Sequence, residues 1–307
     1  MNKILLFLSA LISFAMLTPE IQETENKELA DALLWRISGN GLESSSYMYG
    51  TMHIGDSRIL QYGDSVPMAL NEVDAVYGEI DLTDIVGQMA AMKDMVMTGT
   101  TLKELVSEKD YKMIKARLEG TAVGLMIDNI KPFFTMGNVA MLFFPQDEIS
   151  IIDMHLLEQG KALKKEVGGL ETIQEQLAVV ETLTLKEQAE MLVEMCRDFD
   201  EQKQVFKEMY EAYLKEDLNK LVEIGEEEME DLSSAEFEDK LLEKRNVIMA
   251  DRLNLFMKSK SIFYAVGALH LPGENGLIKL LENHGYTVEP IISNRPELAE
   301  PGATREE

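Results

Sequence analysis

Two short apolar runs of the same build stand near opposite ends of the chain: YMYGTMHIG at residues 47–55 and FYAVGALHLPG at residues 263–273. Each reads as a buried strand running into Gly-x-x-His, and each carries one of only four histidines. A strand cannot satisfy its backbone alone, so runs this far apart must meet in one sheet, with the intervening chain folded as an excursion from it.

Around Trp35, LLWRISG is a second N-terminal strand, and NGLESSS supplies turn chemistry that pairs it with the first as a hairpin. A short helix from about Pro67 to Glu72 leads to a strand, AVYGEI, with Glu79 at its end. Residues 83–128 turn helical, and Pro132 follows an extended lead into a further helix, IKPFFTMGNVAMLFF. SIIDMHLLEQGKALKKEVGGLET reads as a helix from about Ile152 ended by Gly160, then a strand, then a turn carrying Glu171. Residues 172–258 are helical again, with Met191, Met195, Phe199, Phe206, Tyr210 and Tyr213 close to a 3.6-residue spacing. SIFYAVGALH returns to strand, and a helix from about Asn275 to Asn283, stopped by Gly285, precedes the last one. The expected class is α/β (α+β). A central mixed β-sheet from the N- and C-terminal segments carries a large helical insertion or cap, in one domain over residues 21–292 with a polar tail at 293–307.

Residues 1–20, MNKILLFLSALISFAMLTPE, place Lys3 ahead of an apolar run and small residues ahead of a cleavage point. This is the layout of a secretory signal, too short to span a bilayer comfortably. The expectation is an exported protein, periplasmic or extracellular, with no stable membrane insertion after the leader is removed. No cysteine follows the apolar run, so it is not read as a lipoprotein. The lone cysteine, Cys196, forms no internal disulfide, and stability must come from a core for which 307 residues at 46% apolar suffice. A net charge of -26 argues against nucleic acid and anionic membranes as partners. The acidic run GEEEMED at 225–231 reads as a solvated helical face, with attraction of cationic peptides or metal ions as the other reading. The twenty methionines read as adaptable core filling, with copper(I) binding through thioethers the alternative. A homo-oligomer stays open.

A histidine just past a buried strand lies at the sheet's carboxyl edge, where open α/β sheets collect ligands. His53 and His270 can converge there, and Gly50 and Gly267 permit a sharp turn or a close approach. With Glu79 they make two imidazoles and a carboxylate, a set suited to a divalent transition metal with a position left for water. Strand alternation puts Asp81 on the same face as Glu79. The competing reading of each histidine is a satisfied structural group.

YGTMH after a Trp-containing strand, YGEIDL, DMHLLEQGK with VGGLET, RN followed by MA at 245–250, and VGALHLPGENGL with a downstream GY together resemble the TraB/GumN family, a Tiki-like superfamily of metalloproteases. The resemblance runs from about Trp35 to Ile292. It implies a metal-dependent peptidase acting on a peptide or protein, with His53, Glu79 and His270 as the catalytic set and manganese or cobalt favoured over zinc or iron. Other branches imply an alternative, a non-catalytic protein that sequesters peptide or metal. Within that frame Glu79 is ligand or general base, and Glu171 a further metal ligand or an acceptor that fixes a histidine tautomer. Arg245 holds a substrate carboxylate or oxyanion, or else forms a salt bridge orienting Glu79 or Glu171. Asn246 donates to the same oxygen. Asp153 is a candidate contact, while His155 and His284 are read as outside the site. A third reading is an envelope-assembly factor whose histidines only pack.

Overall fold

The structure, a computed structural model, describes residues 29–144, 151–232, 242–292 and 295. The expected leader and most of the polar tail lie outside the described residues. So do the side chains of 226–232, which include nearly all of the acidic run.

In chain order the elements are β1 (Leu34–Gly39), β2 (Ser46–Thr51), α1 (Ser65–Glu72), β3 (Ala75–Gly78), α2 (Ile85–Ala91), α3 (Leu102–Leu105), α4 (Glu108–Arg117), α5 (Pro132–Ala140), α6 (Ile152–Ala162) and β4 (Glu166–Gly169). Then follow α7 (Ile173–Val180), α8 (Leu185–Arg197), α9 (Phe199–Leu214), α10 (Leu218–Leu232), α11 (Glu243–Met257), β5 (Ile262–Gly267), α12 (Leu277–Asn283) and β6 (Tyr286–Ile291). The strands form one mixed sheet in the order β4-β3-β5-β2-β1-β6. This is the expected α/β class, with helical stretches where residues 83–128 and 172–258 were expected to supply them.

β1 and β2 form the expected antiparallel hairpin, with Trp35 opposite Met48. Gly39, Asn40 and Gly41 all take positive φ in the loop between them, which is why glycine and asparagine stand there. β5 then enters between β2 and β3 and runs parallel to both. β4 continues the parallel set beyond β3, and β6 closes the other edge antiparallel to β1. β2, β3 and β5 are buried throughout, as expected of strands covered on both faces.

Capping residues set several helix starts. Thr172 with Glu175, and Thr184 with Glu187, form reciprocal capping boxes at α7 and α8. Gly160 does not stop α6, contrary to expectation. It lies inside the helix, where an added Cβ would sit 2.8 Å from Val76 Cβ and 3.1 Å from Val167 Cγ2. The glycine lets α6 lie directly on β3 and β4, and the chain turns only at Lys164, with φ 58°.

Candidate functional site

The parallel register brings the candidate residues to one edge. Thr51 of β2 is level with Gly267 of β5, so His53 and His270 both follow just beyond the strands' carboxyl ends. Gly50 keeps the strand close to the turn that carries His270: an added Cβ would sit 3.0 Å from Leu271 Cδ1 and 3.1 Å from Ala268 Cα, so that turn would have to give by a few tenths of an ångström. β3 ends at Gly78 and passes to Glu79, whose Oε1 accepts the Gly267 N–H at 2.8 Å. Beyond β4, the Glu171 N–H donates to the Glu79 carbonyl at 2.7 Å. Four neighbouring strands thus deliver Glu171, Glu79, His270 and His53, all four side chains buried.

Asp81 does not share Glu79's environment. The strand has already ended, so alternation no longer applies, and the Asp81 carboxylate turns back to accept the Thr83 N–H and hydroxyl.

Each histidine is fixed through Nδ1. His53 Nδ1 lies 2.6 Å from Asp153 Oδ2, and Asp153 Oδ1 accepts the Thr51 hydroxyl at 2.7 Å. A carboxylate accepts only, so His53 Nδ1 carries the proton. His270 Nδ1 lies 2.6 Å from Asn246 Oδ1, while Asn246 Nδ2 donates to the Asn275 carbonyl at 2.8 Å. That donor fixes the amide's orientation and puts the proton on His270 Nδ1 as well. Asn246 is therefore an orienting partner of His270.

Arg245, from α11, enters between the two glutamates. Its Nη2 donates at 2.6 Å to both Glu79 Oε2 and Glu171 Oε2, and its Nε donates to Glu171 Oε1 at 3.0 Å. Gln176 Nε2 bridges the same carboxylates at 3.1 and 3.2 Å. Arg245 thus takes the salt-bridge role, with its fork turned to the carboxylates. Glu171 has both oxygens on the guanidinium.

Burial and charge set the protonation states. Burial would raise the Glu79 pKa, but Arg245, the two histidines and the Gly267 N–H outweigh it and hold the carboxyl down at about 2. His270 is lowered to about 3, first by burial and then by Arg245 and His53, against the pull of Glu79. It is neutral at ordinary pH, with an Nε2 lone pair toward which Arg245 Nη1 lies at 3.4 Å. For His53, burial acts downward, but Asp153 more than offsets it and the pKa is raised.

A divalent metal fits part of this donor set. Both imidazoles hold Nδ1–H on an oxygen and carry their lone pair on Nε2, the arrangement in which a protein orients histidine ligands. Glu79 adds an ionised carboxylate with Oε1 3.7 Å from His270 Nε2. Among the described residues, however, no three His, Cys, Asp or Glu side chains are grouped closely enough to hold an ion as they stand.

The remaining histidines stay outside. His155 Nε2 lies 3.0 Å from the Tyr62 hydroxyl, and His284, at the end of α12, has its Nε2 3.2 Å from Asp251 of α11. Gln176 had escaped the sequence reading, because a glutamine in the first turns of an amphipathic helix carries no mark of burial.

Residues 33–290 match the sequence profile of the TraB/PrgY/gumN family. The chain is similar to metalloprotease TIKI2 of Xenopus tropicalis, at 24% identity over 86% of this chain and 61% of that protein. It is also similar to metalloprotease TIKI1 of Danio rerio (22%, covering 87% and 64%) and to a metalloprotease TIKI homolog of Nematostella vectensis (25%, covering 80% and 64%). The chain spans about three-fifths of the length of these curated relatives. No solved structure matches.

Proposed function

Because the chain belongs to the TraB/PrgY/gumN family, we propose that it is an exported, metal-dependent hydrolase acting on a peptide or protein. The observation that carries this reading is the pair of imidazoles delivered by adjacent parallel strands, each with Nδ1 tied down, beside an ionised Glu79. The leader-like residues 1–20 support export, and among the described residues no helix is long and apolar enough to cross a membrane.

His53 Nε2, His270 Nε2 and Glu79 would hold the metal, with manganese or cobalt favoured over zinc or iron. A bound divalent metal supplies a lowered pKa for water and polarisation of a carbonyl. Glu79, held near pKa 2, is a poor proton acceptor at neutral pH and serves as ligand and fixed negative charge rather than as general base. Asp153 and Asn246 hold the two rings in the tautomer that carries the lone pair on Nε2. Arg245 keeps Glu79 ionised and in place, and Glu171 holds Arg245, so these are positioning residues.

Capture without turnover is the second reading. It draws on the commitment of Arg245 to both carboxylates, which leaves the site closed on itself. The test is cleavage of an unbiased peptide library by protein stripped with chelator and reloaded with manganese, cobalt or zinc. Loss of an orienting partner at a metal site typically costs 10–100-fold, so His53→Ala and His270→Ala should each lose at least about a hundredfold. Metal uptake with no cleavage under any metal would replace hydrolysis with capture. Full activity in either variant would remove the histidines from the mechanism.

A further inference from the structure

Directly beside His53 the structure opens a cavity of about 70 Å³. Its walls include Met52, Met141, Phe144, Phe206, Met209 and Leu269, contributed by the segments after β2, α5 and β5 and by α9. Thr51 and His53 on one side, and Ala268 and Leu269 on the other, belong to the two turns that carry the candidate histidines. A group lodged there has its attached backbone against the site.

The walls offer little to a polar group. The Thr51 hydroxyl donates to Asp153, and the Tyr213 hydroxyl donates to the Gly50 carbonyl at 2.9 Å. Both hydroxyl-bearing residues of the lining therefore spend their donors on the protein. A polar occupant would give up its water without replacement, whereas an apolar one loses nothing. The size also selects: the space is about half that of a cavity of roughly 150 Å³ that accepts benzene, which suits an aliphatic chain better than a large ring. Three thioethers make the wall deformable, so branched and unbranched chains can both be accommodated.

We propose that this cavity is a specificity subsite that takes an aliphatic side chain, of leucine or methionine size, from a peptide residue next to the bond presented to His53 and His270. The proposal rests on the hydrolase reading for its catalytic sense, but occupancy of the cavity does not require turnover. Tenfold or greater discrimination between leucine and glutamine at that residue is expected, since a single methylene in an apolar pocket is already worth about 10–200-fold.

The experiment uses full-length protein labelled with 13C at the methionine methyls, with Met52, Met141 and Met209 assigned by single Met→Leu exchange. N-acetyl-leucinamide and N-acetyl-glutaminamide are titrated in turn. The three methyls should shift with the leucine probe alone, and Ala140→Phe, which narrows the same cavity, should abolish the shift. Absence of shifts at millimolar leucine probe, or equal shifts with glutamine, overturns the subsite. In parallel, the leucine-to-glycine preference in library cleavage should collapse in Ala140→Phe; an unchanged preference also overturns it. Methyl shifts with no cleavage of any peptide would defeat the hydrolase reading and leave the subsite standing.

Discussion

Arg245 brings a positive charge to a place where only 3% of the residue is exposed, and two buried carboxylates share it. Removing one partner of a buried charge group leaves the rest uncompensated, typically at about 3–5 kcal/mol. Arg245→Met in metal-free protein should lose stability of that order in urea unfolding. Adding Glu79→Gln and Glu171→Gln should restore most of it; a single variant as stable as the parent would mean the carboxylates do not depend on Arg245. His270 makes a separate prediction with a defined sign. Its folded pKa is lowered to about 3, against 6.5 in the unfolded chain. Below pH 6.5 the unfolded chain takes up a proton that the folded one refuses, so stability is lost between about pH 6.5 and 3, at a slope approaching about 1.4 kcal/mol per pH unit. His53, with its raised pKa, acts in the opposite sense: its contribution is present below pH 6.5 and is lost as pH rises through its folded pKa. The measurement is therefore the difference between parent and His270→Gln, both metal-free; superimposable pH profiles would contradict a neutral, buried His270. At this scale the motif made His53, Glu79 and His270 legible. The partners that fix them were less so, because Asp153 and Gln176 belong to helices whose sequence does not say which turn meets the sheet edge.

The helix α6 shows how an element serves the site from both ends. Asp153 in its first turn orients His53, and Gly160 in its last turns lets the helix approach β3. An alanine in an exposed helix interior is better than glycine by about 1 kcal/mol. Here the added methyl meets Val76 and Val167, and overpacking of this kind costs about 1–3 kcal/mol. Gly160→Ala should therefore lower the melting temperature, and a rise would show that the helix–sheet spacing has slack. The sequence placed the helix correctly but stopped it at this glycine, since a chain stop and a close approach both call for the same residue. Asp81 was misplaced for a related reason: alternation counts on a strand that the backbone ends at Gly78.

Across the whole molecule, the α/β class, the N-terminal hairpin and the meeting of distant strands follow from the apolar runs, but the strand order does not. Nothing in IFYAVG says that it lies between β2 and β3 rather than at an edge; that order comes from long-range packing. It also has a consequence in time. As the nascent chain leaves the ribosome, the β1–β2 pair and the β3–β4 pair are both made before the strand that joins them exists. Residues 262–270 emerge only after the whole helical stretch, and they bring both the seam of the sheet and the second imidazole. Translation thus acts as a timer. A half-made chain holds His53 and Glu79 with no complete site until His270 has been added.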